Sequence, residues 1–364
     1  MIAHYVMVGG FLGAGKTTAL LQAAAHLTGG GKRVGLIMND QSDALVDTAL
    51  VRSRALPVEE ITGGCFCCRF NSLTEAAAKL AADARPDVFF AEPVGSCTDL
   101  TATVVLPLRH LYADRYRVAP LSVLVDPDRA LRILGVESGP AFSPKVEYIY
   151  TKQLEEADVL VINKIDRLGA DRLGALRAAL EERFPAAKIV SMSARTGEGV
   201  AAWIDGLLGA DGRGRVLDID YDTYAEGEAL LGWLNCTAAL TAEAVDADAL
   251  LREVASDIHR QLASGGVEIA HLKLTLLPSA GGGISVVNAT RTDAAPELAF
   301  SLDAAVDRAE ITVNLRAEAE PARLEETVRN ALGARRVGSA ITITHLERFR
   351  PGRPTPTYRM AGAS

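Results

Sequence analysis

Cys65, Cys67 and Cys68 crowd three thiols into the short stretch Gly63-Gly64-Cys65-Phe66-Cys67-Cys68, just ahead of a helical pattern. Thiolates are soft ligands that suit Zn²⁺ or a neighbouring transition metal, and three of them leave one coordination position for a carboxylate, water or imidazole. The adjacent Cys67 and Cys68 cannot bridge to each other without strain. A helix N-terminus downstream and Arg69 beside the thiols favour the ionised form that binds metal. Metal binding is the leading expectation, with redox sensing and plain packing of buried thiols as alternatives. The other two of the five cysteines, Cys97 and Cys236, stand alone in the sequence and read as packing thiols.

A second set of residues suits phosphate. Gly10-Phe11-Leu12-Gly13-Ala14-Gly15-Lys16-Thr17 has the spacing G-x-x-x-x-G-K-[ST] and lies between an apolar run and an Ala- and Leu-rich helical pattern. Gly10, Gly13, Ala14 and Gly15 let successive backbone N–H groups converge on phosphate oxygens at a helix N-terminus. Lys16 is expected to reach the β and γ phosphates, Thr17 to give its hydroxyl to Mg²⁺, and Thr18 to contact phosphate. Asn163-Lys164-Ile165-Asp166 follows another apolar run and fits a reader of guanine. The Asp166 carboxylate can accept from both N1–H and the exocyclic amine, a donor pair that adenine lacks. Ser193-Ala194 can offer an N–H to guanine O6. Glu92 and Gly95, in Ala91-Glu92-Pro93-Val94-Gly95, sit where a strand pattern ends, and ligands of such sheets gather at that edge. Glu92 is placed for the Mg²⁺ shell or an attacking water, with a loop cap as the plain alternative, and Gly95 for the γ-phosphate. Asp126 faces the same edge and suits helix capping equally well.

Such residues need a sheet edge to gather them. Apolar runs at 5–8, 34–38, 88–91, 121–125, 159–162 and 189–192 alternate with helical patterns at 16–27, 73–84, 168–183 and 200–208, the signature of a parallel sheet covered by helices. The expected fold class is α/β: a P-loop NTPase domain at 1–208 with a mainly parallel sheet, joined by a Gly-rich linker at 209–218 to a smaller C-terminal α+β domain at 219–347. There, strands are expected at 267–277, 284–288 and 311–316, and helices at 246–263 and 322–332. Residues 348–364 form an extended tail whose four arginines, Arg348, Arg350, Arg353 and Arg359, are interleaved with prolines; it reads as a solvated arm rather than a docking arm.

Composition narrows the class of function. With 38 basic and 46 acidic side chains the formal charge is −8, which argues against a broad footprint for nucleic acid or an anionic membrane. No apolar run approaches the roughly 20 residues that span a bilayer. The N-terminus reads as a strand entering a glycine loop rather than a secretory leader, so a cytoplasmic location is expected.

The first 208 residues resemble the CobW-type P-loop GTPases, metal-handling proteins related to the urease and hydrogenase nickel-insertion GTPases. The resemblance rests on four motifs in the family's order: Gly9-Gly-Phe-Leu-Gly-Ala-Gly-Lys-Thr-Thr18, Gly64-Cys-Phe-Cys-Cys68, Glu92-x-x-Gly95 and Asn163-Lys-Ile-Asp166. It implies GTP hydrolysis, with GDP as product, coupled to delivery of a metal ion to a client protein, and a cysteine loop that responds to nucleotide. The family's switch commonly reads Asn-Glu-Phe-Gly-Glu with a later Asp; here it is Asn39-Asp40-Gln41-Ser42-Asp43, with Asp47 beyond. By that likeness Asp43 can serve as a metal ligand, and Asp40 or Asp47 can act near Mg²⁺, with Asp40 counted beside Lys16 and Glu92 as catalytic. Where some relatives carry an acidic ligand before the asparagine, Met38 stands here. The six histidines are scattered, so no histidine store for metal is expected. The ion expected at the cysteines is Zn²⁺, with Co²⁺ or Ni²⁺ as alternatives, and relatives suggest pairing of subunits around nucleotide. Two rival readings remain: an assembly switch for a metal- or corrinoid-dependent enzyme whose own metal is structural, and a P-loop kinase, which Asn163-Lys-Ile-Asp166 disfavours.

Overall fold

The computed structural model describes residues 2–39, 56–334 and 338–362, so the switch residues Asp40, Asp43 and Asp47 lie outside the described residues. Strand β1 (Ala3–Gly10) is buried from Tyr5 onward, as expected for a near-continuous apolar run covered on both faces. It sits inside a parallel sheet made with β2 (Val34–Asn39), β3 (Val58–Ile61), β4 (Val88–Glu92), β5 (Tyr116–Val118), β6 (Ser122–Val125), β7 (Val159–Ile162) and β8 (Lys188–Ser191). The order is β3-β2-β4-β1-β6-β7-β8, with β5 beside the first residues of β1. Register brings Met38 level with Glu92, Gly10 with Leu124, and Val125 with Ile162. One C-terminal edge therefore delivers the phosphate loop, Asn39, Glu92, Asp126 and Asn163 together.

Helices Lys16–Gly29 and Val200–Leu208 cover one face of this sheet, and Phe70–Asp83, Pro144–Glu156 and Ala170–Arg183 lie on the other. The helix Tyr221–Leu230 comes after the expected linker, yet it packs on Pro144–Glu156: a Cβ at Gly227 would meet the Lys145 carbonyl at 2.4 Å. Among the described residues no helix is long and apolar enough to cross a membrane.

The second sheet is antiparallel, in the order β12-β11-β10-β13-β9-β14, from β9 (Leu231–Asp246), β10 (Ile269–Pro278), β11 (Ser285–Ala289), β12 (Glu297–Phe300), β13 (Ala305–Glu318) and β14 (Ser339–Phe349). Helices Ala247–Ser264 and Pro321–Gly333 pack on one face, where Leu234, Leu272, Leu274, Val313 and Leu315 form the core. Side chains alternate across a strand. Their neighbours Asn235, Lys273, Asn314 and Arg316 accordingly lie on the other face, which turns toward the phosphate loop.

Candidate nucleotide and metal site

The phosphate loop leaves β1 in a conformation that asks for glycine. Gly10 and Gly15 have φ of +132° and +92°. A Cβ at Gly10 would meet the Leu124 carbonyl, and one at Gly15 the Asn163 amide nitrogen, each at 2.6 Å. Lys16 and Thr17 are buried at the start of the following helix. Lys16 Nζ donates to the Gly10 carbonyl at 2.8 Å. Thr17 Oγ1 donates to both Glu92 carboxylate oxygens, at 3.1 and 3.0 Å, which puts the two groups proposed for Mg²⁺ side by side. Gly13, Gly15, Lys16, Thr17, Thr18, Glu92, Gly95, Asn163, Lys164, Asp166 and Ala194 all line one cavity of about 580 Å³.

Within the Asn163–Asp166 motif the side chains divide their work. Asn163 Nδ2 donates to the Ala14 carbonyl at 2.8 Å, and its Oδ1 accepts from the Ala194 N–H at 2.9 Å. Lys164, held at φ +58°, donates to the Gly13 carbonyl at 2.8 Å and to Asp126 at 2.6 Å. Both residues thus brace the phosphate loop. Among the described residues Asp166 is tied to Ser193, whose hydroxyl donates to Oδ1 at 2.6 Å. Asp126 takes both roles open to it: it caps the helix Pro127–Ile133 through the Arg129 N–H at 3.1 Å and pairs with Lys164. Burial alone would raise its carboxyl, but the charges of Lys164 and Arg129 hold it down at about 2.

Arg129 carries no sequence signal and joins the two sheets. Its guanidinium lies 5.0 Å from the Phe11 ring and 5.1 Å from the Phe142 ring. It donates to the Leu12 carbonyl in the phosphate loop at 2.8 Å, and across to the carbonyls of Ile269, Ala270 and Thr290. Arg129→Met keeps the bulk but strands buried carbonyls, and is expected to cost about 3–5 kcal/mol of stability. Urea unfolding measures this; a loss under about 1 kcal/mol would mean that the carbonyls find other partners. Across the cavity, Arg316 lies over the Trp233 ring at 4.1 Å and donates to Asn235 Oδ1 at 2.8 Å, so the second sheet gives the cavity a polar wall.

The cysteine loop follows β3. Asn39, at the end of β2, donates to the Ile61 carbonyl at 3.0 Å and to the Gly64 carbonyl at 2.7 Å, which fixes the loop's entry. Cys65 Sγ lies 2.8 Å from Cys67 Sγ and 3.3 Å from Cys68 Sγ, and the latter two are 3.7 Å apart. Cys65 and Cys67 are buried and Cys68 is partly buried. Hydrogen bonds from Cys67, Cys68 and Cys97 hold the Cys65 thiol far below its ordinary value, while the bond to Cys65 raises Cys67 and pushes Cys68 up to about 11. Hydrogen bonding among the sulfurs favours a thiolate at Cys65, a chemistry suited to a soft cation.

The tail, read from sequence as a solvated arm, is extended but lies along the outside of this loop. The Thr355 N–H donates to Cys68 Sγ at 3.2 Å, and the Thr357 N–H to the Cys67 carbonyl at 2.8 Å. Tyr358 packs edge-on against Phe70 at 5.1 Å, Arg359 donates to Asp99 at 2.8 Å, and the Met360 N–H donates to the Ala102 carbonyl at 2.9 Å.

With this geometry in place, comparison with known proteins is informative. The nucleotide-binding domain model of the CobW/HypB/UreG family matches residues 4–191. The zinc chaperone CobW of Sinorhizobium sp is 29% identical over 220 residues, covering 55% of this chain and 61% of that protein. The zinc chaperone YeiR of Escherichia coli K12 is 30% identical over 179 residues, covering 47% of this chain and 49% of that protein. The chain thus spans between about half and three fifths of the length of these relatives. Among solved structures, hydrogenase maturation factor HypB from Archaeoglobus fulgidus aligns with 57% of this chain and 89% of its own, at 22% identity and a TM-score of 0.40.

Proposed function

Because the chain belongs to the CobW/HypB/UreG family of nucleotide-binding domains, we propose that it is a GTP-hydrolysing metallochaperone that carries one transition-metal ion, Zn²⁺ before Co²⁺ or Ni²⁺, to a client protein or cofactor. The observation that carries this reading is the convergence of three cysteine sulfurs within 4.8 Å on the same sheet edge as the phosphate loop. The relatives named zinc chaperones support it.

In this reading the backbone N–H groups of residues 13–18 and the Lys16 ammonium hold the phosphates, Thr17 and Glu92 hold Mg²⁺, and Asp166 and the Ala194 N–H read the guanine edge. Mg²⁺, when bound, neutralises charge that develops on the phosphate oxygens. Lys16 neutralises charge on the bridging side, and Glu92, or Asp40 from the segment outside the described residues, orients the attacking water. Cys65, Cys67 and Cys68 hold the cargo ion, with Asp43 as the carboxylate carried over from the family. Coupling between the two sites is reciprocal: if GTP tightens metal binding, the metal tightens GTP binding by the same factor, and loss of the γ-phosphate then loosens the cargo.

Purified protein assayed with GTP and ATP, in the presence of Zn²⁺, Co²⁺ or Ni²⁺ added singly, tests the proposal. GTP turnover well above ATP turnover, together with metal affinity that differs between the GTP and GDP states, is expected. Equal use of ATP, or metal affinity indifferent to nucleotide while a client alone stimulates hydrolysis, overturns it in favour of a kinase or an assembly switch.

A further inference from the structure

Of the three clustered thiols Cys68 is the most open, and the tail lies across it. The tail alternates proline with threonine in Pro354-Thr355-Pro356-Thr357, so within these four residues only the threonines carry a backbone N–H. In an extended chain, groups two residues apart point the same way. Both donors accordingly meet the cysteine loop. The Thr355 N–H donates to Cys68 Sγ at 3.2 Å and the Thr357 N–H to the Cys67 carbonyl at 2.8 Å, while the Thr357 hydroxyl donates to the Cys68 carbonyl at 3.2 Å. The prolines hold the segment extended before it docks, which lowers the entropy lost on docking.

The segment is fastened on both sides of the cysteines. Before them, Phe349 at the end of β14 packs on the Trp233 ring at 5.8 Å, and Arg350 donates to the Ala229 carbonyl. After them, Arg359 pairs with Asp99, a carboxylate only 1% exposed, and donates to the Leu217 carbonyl at 2.8 Å. We propose that residues 353–360 are a strap that positions Cys68 as a metal ligand and shuts the cargo site, with the Thr355 N–H as its contact to the ligand sulfur, and that the cargo leaves when this strap lifts. The inference rests on the metallochaperone reading and deepens it.

Two physical arguments support this role. A sulfur that binds a cation carries negative charge, and an N–H aimed at it both spreads that charge and fixes the direction of the ligand. The second argument is access. Cys65 and Cys67 are buried, so a ligand of the client must approach the ion from the side of Cys68, the side the strap covers. The strap also hangs from the wall of the nucleotide cavity, because Phe349 lies opposite Trp233 in the β14–β9 pairing and Trp233 lines that cavity.

The test uses the full chain without nucleotide, loaded with Zn²⁺ or Co²⁺. Thr355→Pro deletes the N–H in a segment already flanked by prolines, whereas Thr355→Ala keeps it. Loss of Zn²⁺ to an excess of chelator is expected to be about 10-fold or more faster in Thr355→Pro and within about twofold of wild type in Thr355→Ala. The thiolate-to-Co²⁺ charge-transfer band is expected to move in Thr355→Pro alone. Release rates and bands of Thr355→Pro equal to those of wild type overturn the inference, and so does a Thr355→Ala protein that behaves like Thr355→Pro. A measurement on the wild type stands apart from any effect of the variants on folding: the amides of Thr355 and Thr357 are expected to exchange with deuterium at least about threefold more slowly once Zn²⁺ is bound, because the N–H then faces a metal-bound thiolate. Exchange indifferent to Zn²⁺ overturns the strap while leaving the metal site in place. Absence of tight metal binding in the wild type overturns the metallochaperone reading and the strap with it.

Discussion

Cys67→Ala is expected to weaken Zn²⁺ binding by roughly 100- to 1,000-fold while leaving GTP affinity within about threefold of wild type. Sulfur-rich structural zinc sites are worth about 10–16 kcal/mol at neutral pH, so one ligand in four accounts for roughly 2.5–4 kcal/mol. Cys67 is the deepest thiol of the motif at 1% exposure, and it contributes one of the two closest sulfurs to Cys65. Its removal takes away a ligand without touching the loop's other supports, because the Thr357 N–H binds its carbonyl and Asn39 holds Gly64. Cys67 does not line the nucleotide cavity. Equilibrium dialysis against Zn²⁺ measures the outcome, and an unchanged stoichiometry and affinity would remove the cysteine motif from the metal site. The same chemistry sets a pH dependence. Hydrogen bonds to Cys65 hold Cys67 and Cys68 protonated above their ordinary range, so the ion must displace their protons. Affinity is therefore expected to climb as pH rises from 6 toward 9.

What the sequence disclosed and what it hid follow from where the information is stored. Six strands of the parallel sheet were legible because they are short, mostly apolar runs, whereas β3 (Val-Glu-Glu-Ile) and β5 (Tyr-Arg-Val) carry charge and were not; the motifs were legible because phosphate and guanine chemistry constrain residue type and spacing within a few positions. Strand β9 was not. Its 16 residues include Gly232 and a scatter of alanines, weak strand formers, and it is held by pairing with β13 on one side and β14 on the other. Docking of the tail was hidden for a different reason. Thr355, Thr357 and Met360 act through backbone N–H groups, which every non-proline residue has, so the Arg- and Pro-rich composition gave no sign of their partners. Arg129 acquires its role only when the chain closes, because it meets carbonyls some 140 residues away. Residue type was visible there, but proximity was not.

Asp166→Asn is expected to lower GTP affinity by about 10²- to 10⁴-fold and to raise affinity for xanthosine triphosphate in its place. A site built to accept hydrogen bonds rejects a ligand that cannot supply them, and leaves buried polar groups unpaired when the pairing is wrong. In the native site Ser193 Oγ donates to Asp166 Oδ1, so the second carboxylate oxygen remains to accept from the base. In the variant the serine continues to favour the amide oxygen on its side. The amide nitrogen then points at the base, where it meets the N–H groups of guanine donor to donor but can donate to the O2 carbonyl of xanthine. The phosphate loop is unaffected, because Asn163 and Lys164, not Asp166, hold the carbonyls of Ala14 and Gly13. Lys16 and Thr17 keep their places, and the cysteines, on a different loop, keep their metal. Competition binding with GTP, ATP and xanthosine triphosphate, together with a Co²⁺ titration of the same variant, separates these effects. Retention of GTP preference by Asp166→Asn would show that the guanine edge is read elsewhere in the cavity, with the polar wall of Lys273, Asn314 and Arg316 as the place to look.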